Sequence, residues 1–384
     1  MLAHLTSAVV LLGATLAATT AATVEPLSFA ISATSQNVQF AAPPDANNAT
    51  QIIAFLHAAS TTGVAVNGTR QVSGTFAVTG SYCKPTTARV RGILQVLVHG
   101  ATYDKTLWSG LGQGARYDYR GYANAAGYHT LALDRLGHGS SPQHPDPVAV
   151  NQAQLQLEIL HRVLAAVRSN RSNRSNALGR SFAKIVYVGH SLGSFLGAAI
   201  ARTYPADADA LVLTGYSTAF TTAAIAAQTY APGALFSPSR FGSALPLGYV
   251  VTAVEAERSR NGGAFYGGAF DTDVARADFA RQDTAGAGEF ASLPGLLLGG
   301  AGGGTAADAY AGAVFVATGQ LDAAFCVPTA GRTCADILQA TGESFPRARA
   351  YKYYAPADTG HVLSLHYSAP ATFRAVHEFL DGVL

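Results

Sequence analysis

The amino-acid sequence predicts an α/β fold in which a mostly parallel central sheet carries helices on both faces. Three observations support this prediction. Short and mostly apolar runs, such as Ile93–Val98 and Lys184–Val188, alternate with helical patterns such as Asn151–Val167. Strands of that composition are typical of a sheet that is covered on both sides. The third observation is a glycine-flanked serine at 189–193, placed where a strand gives way to a helix.

The elements follow one another in an alternating order. Residues 24–90 are rich in Thr, Ser, Val and Ala, and Gln71–Thr79 reads as a strand, so this stretch predicts an N-terminal β extension. The later predicted strands are Ile93–Val98, Thr130–Leu133, Lys184–Val188, Ala210–Thr214, Ala313–Thr318 and Ala350–Tyr354. The predicted helices are Asn151–Val167, Leu192–Arg202 and Ala371–Leu384.

A long insertion separates the sixth strand of the expected fold, Ala210–Thr214, from the seventh, Ala313–Thr318. The connection from Thr214 to Ala313 far exceeds an ordinary loop, so residues 217–310 are interpreted as a lid. The sheet domain is then divided into residues 23–216 and 311–384. Aromatic residues are spread through the insertion, as a small core of its own or as the lining of an apolar cavity: Phe220, Tyr230, Phe236, Phe241, Tyr249, Phe265, Tyr266 and Phe270.

Composition excludes several classes of protein. Of the 384 residues, 49% are hydrophobic and only 12% are charged, which is too apolar for a disordered chain. The formal net charge is +2, so no basic surface for nucleic acid is expected. The 40 glycines follow no three-residue period, which excludes a collagen-like chain. Composition says nothing about the oligomeric state.

The first 22 residues have the pattern of a secretory signal peptide. The apolar stretch from Leu5 to Ala18 is too short to span a bilayer, and small residues follow it. A buried N-terminal helix is the alternative. No later segment is long and apolar enough for a membrane span, so we expect a secreted protein or one that resides in the secretory pathway. Four Asn-x-Ser/Thr sequons are candidate glycosylation sites on this view: Asn48, Asn67, Asn170 and Asn173.

The three cysteines fit an oxidising compartment. Cys326 and Cys334 are close enough in sequence to close a short loop, which would leave Cys83 free and buried. Pairing of Cys83 with either of the others is the alternative. No Cys-x-x-Cys or His-Glu-x-x-His spacing occurs, so no metal site is predicted. The glycines at 110–114 do not follow the right strand for a dinucleotide loop, and no cofactor is predicted.

The glycine-flanked serine at 189–193 is the strongest catalytic signal. It follows the strand Lys184–Val188 and precedes the helix Leu192–Arg202, which is the context of a nucleophile elbow. The glycines permit a tight turn that raises the Ser191 hydroxyl above the sheet. The amino end of the helix would place partial positive charge near a developing anion.

Four further segments occur in order around this serine: His99-Gly100-Ala101-Thr102, residues 134–141 (D-x-x-G-x-G-x-S), Gly319-Gln320-Leu321-Asp322 and Thr359-Gly360-His361. Through these segments and residues 189–193, the chain from about Gly92 to Leu384 resembles the α/β-hydrolase superfamily, of the AB hydrolase-1 type. Within it the chain is most similar to secreted fungal esterase-like and peptidase-like members. Residues 24–90 depart from the minimal fold.

The resemblance implies a role for each matching position. Ser191 would attack the substrate carbonyl, His361 would transfer the proton, and Asp322 would orient His361. The chain order Ser, Asp, His is the one that this fold requires. The oxyanion hole would be formed by the backbone N–H groups of Leu192 and Ala101, with Thr102 as the neighbouring alternative. A disulfide just after Asp322 would stiffen the turn that carries the acid.

Other candidates for these roles are less well placed. His366 lies deeper and His377 lies inside the final predicted helix, so structural roles are expected for both. Asp358 is a loop residue beside His361, and no carboxylate directly follows the strand Ala210–Thr214. Asp134 and Arg135 are expected to brace loops.

Three functions are compatible with these features. The first is a secreted serine hydrolase that cleaves an ester, lactone, thioester or amide of a small hydrophobic molecule; the charge-poor aromatic lid favours such a substrate. The second is a tailoring enzyme of fungal specialised metabolism that hydrolyses, condenses or cyclises its substrate. The third is a non-catalytic ligand-binding relative, which the complete set of triad residues argues against. A serine nucleophile separates the chain from relatives such as epoxide hydrolases, which use an aspartate.

Overall fold

A computed structural model describes residues 24–168, 178–297, 306–328 and 331–384. The expected signal peptide, Asn170 and Asn173 lie outside these residues. The strands are β1 Val24–Phe40, β2 Val66–Cys83, β3 Ile93–Val98, β4 His129–Asp134, β5 Lys184–His190, β6 Ala210–Thr214, β7 Tyr230–Pro232, β8 Tyr249–Thr252, β9 Ala285–Gly286, β10 Ala313–Ala317 and β11 Ala350–Tyr354.

The α-helices are α1 Ala49–Thr61, α2 Tyr119–Ala125, α3 Ala153–Arg168, α4 Leu192–Thr203, α5 Ala223–Ala226, α6 Gly233–Phe236, α7 Pro238–Phe241, α8 Glu255–Ser259, α9 Thr272–Arg281, α10 Ala287–Leu297, α11 Cys334–Thr341 and α12 Ala369–Val383. Short 3₁₀ segments cover Lys105–Gly112, Ala115–Tyr117, Gly342–Ser344 and Leu363–Leu365. Among the described residues, no helix is long and apolar enough to cross a bilayer.

Eight strands form one sheet in the order β1-β2-β4-β3-β5-β6-β10-β11. The β1–β2 and β2–β4 pairs are antiparallel, and every other neighbouring pair is parallel. The predicted α/β fold with a mostly parallel sheet is therefore confirmed. Because parallel strands end at the same edge, the residues that follow β3, β5, β10 and β11 are brought together there.

Alternation along the strands builds a core on each face of the sheet. All six residues of β3 are buried. Leu94, Val96 and Val98 pack in the same cluster as apolar residues of α3 and α4. Ile93 and Leu97 point to the opposite face and pack with residues of α2 and α12. A strand that is buried on both faces is mostly apolar, which is why the sequence predicts β3 well.

The strands of the N-terminal extension are longer than the sequence predicts. β1 and β2 pair from Val24 opposite Cys83 to Phe40 opposite Val66, well beyond the predicted strand Gln71–Thr79. Helix α1 lies in the connection between β1 and β2 and was not predicted. The Asn48 side chain accepts the Gln51 N–H (3.1 Å) and so caps α1. Three apolar side chains of α1 pack against β8 and α10 in one cluster: Ile52, Phe55 and Leu56.

The stretch between β6 and β10 folds as a separate layer. It holds a small antiparallel sheet, β7-β8-β9, and the helices α5 to α10. We call residues 217–310 the insertion from here on. Leu293 and Leu296 of α10 are buried in the same core as residues of α3 and α4, so α10 packs directly onto the sheet domain.

Candidate active site

Ser191 lies at the sharp turn between β5 and α4. Its φ is 54°, a left-handed conformation that is uncommon for a residue with a side chain. A Cβ at Gly193 would lie 2.2 Å from the Val98 carbonyl oxygen, and one at Gly189 would lie 2.6 Å from the Gly193 oxygen. Both positions therefore require glycine, and the motif is needed for this close approach of strand and helix.

Asp322 and His361 meet at the same edge of the sheet. Asp322 follows β10, His361 follows β11, and the Nδ1 of His361 lies 2.8 Å from Oδ2 of Asp322. The other carboxylate oxygen of Asp322 accepts the N–H groups of Ala324 (2.9 Å) and Phe325 (3.1 Å). Asp322 is 1% exposed and His361 is 6% exposed, so the pair is shielded from water. A proton on Nδ1 leaves the Nε2 lone pair of His361 available.

Aromatic packing fixes the plane of the His361 ring. The Phe325 ring stacks on it with centroids 5.4 Å apart and an angle of 10°. The His190 ring lies 4.9 Å away on another side. Burial, with a smaller contribution from His361, lowers the pKa of His190 well below its usual range, so this neighbour is neutral. His361 is thus held by packing as well as by Asp322.

The rival residues have other partners. The Nε2 of His366 accepts the N–H groups of Gly360 (3.0 Å) and Gly267 (3.3 Å), so this ring supports the loop that carries His361. Burial lowers the pKa of His366 to about 4, in keeping with a neutral acceptor. His377 contacts the Phe373 carbonyl and Gln95 inside the core. Asp358 is exposed, in the loop before His361.

One cavity gathers the remaining predicted site residues. Ser191, Leu192, Ala101, Thr102 and His361 all line it. Among the described residues, the backbone N–H groups of Ala101, Thr102 and Leu192 donate to no protein acceptor. They remain available to an oxygen atom next to Ser191.

The rest of the cavity wall is mostly apolar, with Gln228 and Thr252 as polar members, and comes largely from the insertion. No Asp, Glu, Lys or Arg lines it among the described residues. The apolar lining residues are Phe195, Phe220, Ala224, Ile225, Tyr230, Ala264, Phe265, Phe290, Leu293, Ala324 and Phe325. Of the eight aromatic residues that the sequence analysis named in the insertion, three line the cavity: Phe220, Tyr230 and Phe265. The other five do not line it: Phe236, Phe241, Tyr249, Tyr266 and Phe270.

Asp134 and Arg135 brace loops, as the sequence led us to expect. Asp134 accepts the N–H groups of Lys105 (2.9 Å) and Ser140 (2.8 Å). The Arg135 side chain donates to the carbonyl oxygens of His99 and Gly100, both at 3.2 Å, just before Ala101. Arg135 also forms a fully buried ion pair with Glu289 of α10. This pair ties the insertion to the sheet domain and gave no signal in the sequence.

The disulfide joins Cys326 and Cys334 beside the acid turn. The Cα atoms are 5.0 Å apart, and Cys83 is free and buried. The N–H of Cys326 donates to the Asp322 carbonyl oxygen at 3.0 Å. The disulfide is therefore linked directly to Asp322, the residue that contacts His361, through the backbone of Cys326.

Sequence reasoning missed the partners of Thr102. Arg258 of α8 is fully buried, pairs with Asp278 of α9, and donates to Oγ1 of Thr102 at 2.8 Å. Charged residues are scarce in this chain, and that scarcity is the one signal that could have drawn attention to Arg258 and Asp278. Nothing in their spacing indicates that they reach the loop after β3.

Comparison with known proteins identifies the family and the fold of the chain. Residues 95–376 match the alpha/beta hydrolase family, and the chain belongs to that family. No curated protein matches the chain in sequence. A thermophilic esterase from Thermogutta terrifontis superposes with a TM-score of 0.50 at 17% identity, over 80% of this chain and 94% of the esterase.

Two epoxide hydrolases are similar to the same extent. The enzyme from Vigna radiata gives a TM-score of 0.51 at 13% identity, over 80% of this chain and 95% of that one. A laboratory-evolved variant of a potato epoxide hydrolase gives 0.51 at 14% identity, over 79% and 96%. At such low identity these similarities establish the fold, and the chemistry has to be argued from the residues of this site.

Proposed function

We propose that the protein is a serine hydrolase that cleaves a carboxylic ester, lactone, thioester or amide of a small hydrophobic molecule. The observation that carries the proposal is the buried hydrogen bond between Asp322 and His361, with His361 and Ser191 on the wall of one cavity. This arrangement leaves His361 Nε2 as a base that faces the same space as the serine hydroxyl.

The proposed reaction has two steps. In the first, Nε2 of His361 takes the Ser191 proton while the serine oxygen bonds to the substrate carbonyl carbon. The carbonyl oxygen becomes an anion that the N–H groups of Leu192 and Ala101, or Thr102, stabilise. Collapse expels the leaving group with the proton from His361 and leaves an acyl-serine. Water then repeats the sequence and releases the acid. Asp322 stabilises the imidazolium in both steps.

The lining of the cavity supports a hydrophobic substrate. A site without a Lys or Arg on its described wall has no fixed charge with which to bind a charged group of a substrate. The side chains of Phe220, Phe265 and Phe290 offer large apolar contact areas instead. In this proposal the insertion is the lid, because it supplies most of these side chains.

Entry into the secretory pathway is part of the proposal. The disulfide between Cys326 and Cys334 supports an oxidising compartment. Asn67 is exposed on β2 and is the more accessible described acceptor, because Asn48 already caps α1. Expression in a eukaryotic secreting host should give a protein whose mass falls after treatment with an N-glycosidase. An Asn67→Gln variant should lose part of that shift, and secreted protein without any glycan would refute this part.

The test of the reaction is hydrolysis of p-nitrophenyl esters with acyl chains of increasing length. The wild type and Ser191→Ala should be compared at matched folding, judged by circular dichroism. We expect turnover by the wild type and a loss of about 10⁶-fold in kcat for the variant, in line with removal of a nucleophilic serine elsewhere. A folded wild type that hydrolyses no member of the series, or a variant that remains active, would refute the proposal.

A further inference from the structure

Arg258 is an unusual residue for this chain because its guanidinium group is entirely buried. Its Nε and one terminal nitrogen donate to the two carboxylate oxygens of Asp278, both at 3.0 Å. The guanidinium lies 4.1 Å above the Phe265 ring and 4.8 Å from the Tyr103 ring. Tyr103 also donates its hydroxyl to Asp278 at 3.1 Å. A guanidinium group that makes two hydrogen bonds to one carboxylate and packs between two aromatic rings has a fixed position and orientation.

The other terminal nitrogen of Arg258 makes no hydrogen bond to Asp278 and points at the loop after β3 that contains Ala101 and Thr102. It donates to Oγ1 of Thr102 at 2.8 Å. Burial alone would lower the pKa of Arg258, but the Asp278 carboxylate outweighs burial and raises it. Arg258 is therefore permanently charged, and Thr102 always meets a donor.

Thr102 is held from a second direction by the insertion. The N–H of Asp283 donates to the Thr102 carbonyl oxygen at 2.9 Å. Thr102 itself has a φ of 60°, in the left-handed region that a threonine seldom adopts. Such a conformation persists only where the surroundings impose it. Here both polar groups that impose it belong to residues between β6 and β10.

We propose that the buried Arg258–Asp278 pair is a positioning device that sets the Ala101–Thr102 loop so that its N–H groups face the carbonyl oxygen of a substrate bound at Ser191. This inference rests on the proposed hydrolase function. It gives the insertion a task besides covering the cavity: the insertion completes the oxyanion hole. Arg258 acts through Thr102, and it touches neither substrate nor reacting atoms.

The test replaces the acceptor and leaves the ion pair in place. Thr102→Val keeps the branched shape but removes the oxygen that Arg258 contacts, whereas Thr102→Ser keeps it. We expect Thr102→Val to lower kcat about 10- to 100-fold with KM changed less than about threefold, because misplacing a donor weakens only transition-state binding. Thr102→Ser should recover most of that loss. Arg276→Met is the matched control, because Arg276 of the same insertion forms an exposed pair with Asp273.

A second readout distinguishes positioning from simple stability. The rate at which a p-nitrophenyl phosphonate inactivates the enzyme should fall in parallel with kcat, because its phosphoryl oxygen occupies the same hole. A folded Thr102→Val enzyme with wild-type kcat and wild-type inactivation rate would overturn the proposal. If Thr102→Val does not fold, the single variant Asp278→Asn, which retains Thr102, is used to measure the same two quantities, kcat and the rate of inactivation. Failure of the wild type itself to react with the phosphonate would instead refute the hydrolase function.

Discussion

Asp322→Asn tests the proposed proton path most specifically, because it changes one charge and almost no volume. In the wild type, one oxygen of Asp322 accepts two backbone N–H groups, at 2.9 and 3.1 Å, and the other faces Nδ1 of His361 at 2.8 Å. Asparagine has one acceptor oxygen and one amino group. Its oxygen must face the two N–H donors, so its amino group is directed at His361.

The consequence is the wrong tautomer of His361. An amino group that donates to Nδ1 requires a lone pair there, which moves the ring proton to Nε2. A protonated Nε2 cannot accept the proton of Ser191. The same substitution in another serine hydrolase lowers kcat about 10⁴-fold, which corresponds to about 5.5 kcal/mol of activation free energy. We expect a loss of that size here with little change in KM.

The assay is steady-state hydrolysis of a short p-nitrophenyl ester, with folding checked by thermal melting. Asp358→Asn is the matched control, because Asp358 is exposed, lies in the loop before His361, and has a φ of 48° that asparagine tolerates well. The control should keep wild-type kcat. An Asp322→Asn enzyme that is folded and retains more than a tenth of wild-type kcat would refute the reasoning.

Three further predictions concern the cavity, the buried ion pair between Arg135 and Glu289, and the disulfide. Phe290 borders both the site and a neighbouring pocket that Phe220, Ile225 and Leu293 also line, so Phe290→Ala should join the two. The preferred acyl chain should then become longer, with a gain of about fourfold in kcat/KM per added methylene. An unchanged optimum across the ester series would contradict this. Glu289→Gln should lower the free energy of unfolding by about 3–5 kcal/mol, because it leaves a buried cation without its partner, whereas the exposed Glu378→Gln should not. Burial would raise the pKa of Glu289, but its cationic neighbours outweigh burial and hold that pKa at about 2. Because the folded pKa lies below the unfolded value of about 4.3, this stabilisation is complete above pH 4.3 and is lost as the pH falls towards 2. Urea unfolding at several pH values measures it. The free energies of unfolding of the wild type and the Glu289→Gln variant should become equal in acid. Reduction of the disulfide, or Cys326→Ala with Cys334→Ala, should lower the free energy of unfolding by roughly 2–3 kcal/mol, because the closed loop is short. It should also lower kcat, because the turn that carries Asp322 becomes less rigid. A reduced, folded enzyme with full activity would show that the turn does not depend on the cross-link.

The sheet domain could be predicted from the sequence because its signals are local. A strand buried on both faces is mostly apolar, and an elbow with no room for a Cβ requires glycine at 189 and 193. Ser191, Asp322 and His361 each follow a predicted strand, so a parallel sheet brings them to one edge. That topology placed three residues together that are far apart in the chain.

The insertion and α1 could not be predicted in the same way. Their helices are mostly short, and they are stabilised by contacts with distant elements, such as Phe55 of α1 against the cluster that contains Ala291. The contact between Arg258 and Thr102 joins residues 156 positions apart, and neither has a neighbour in sequence that marks it. Such long-range polar pairs depend on the folded arrangement of two layers, which periodicity and spacing do not record.

The most direct test of the central claim is to identify the residue that a fluorophosphonate modifies. The wild type should lose activity as it gains one phosphonyl group, and peptide mapping by mass spectrometry should locate that group on Ser191. Ser191→Ala should remain unmodified under the same conditions. A folded wild type that gains no adduct, or gains it on a different residue while Ser191 stays free, would contradict the assignment of Ser191 as the nucleophile.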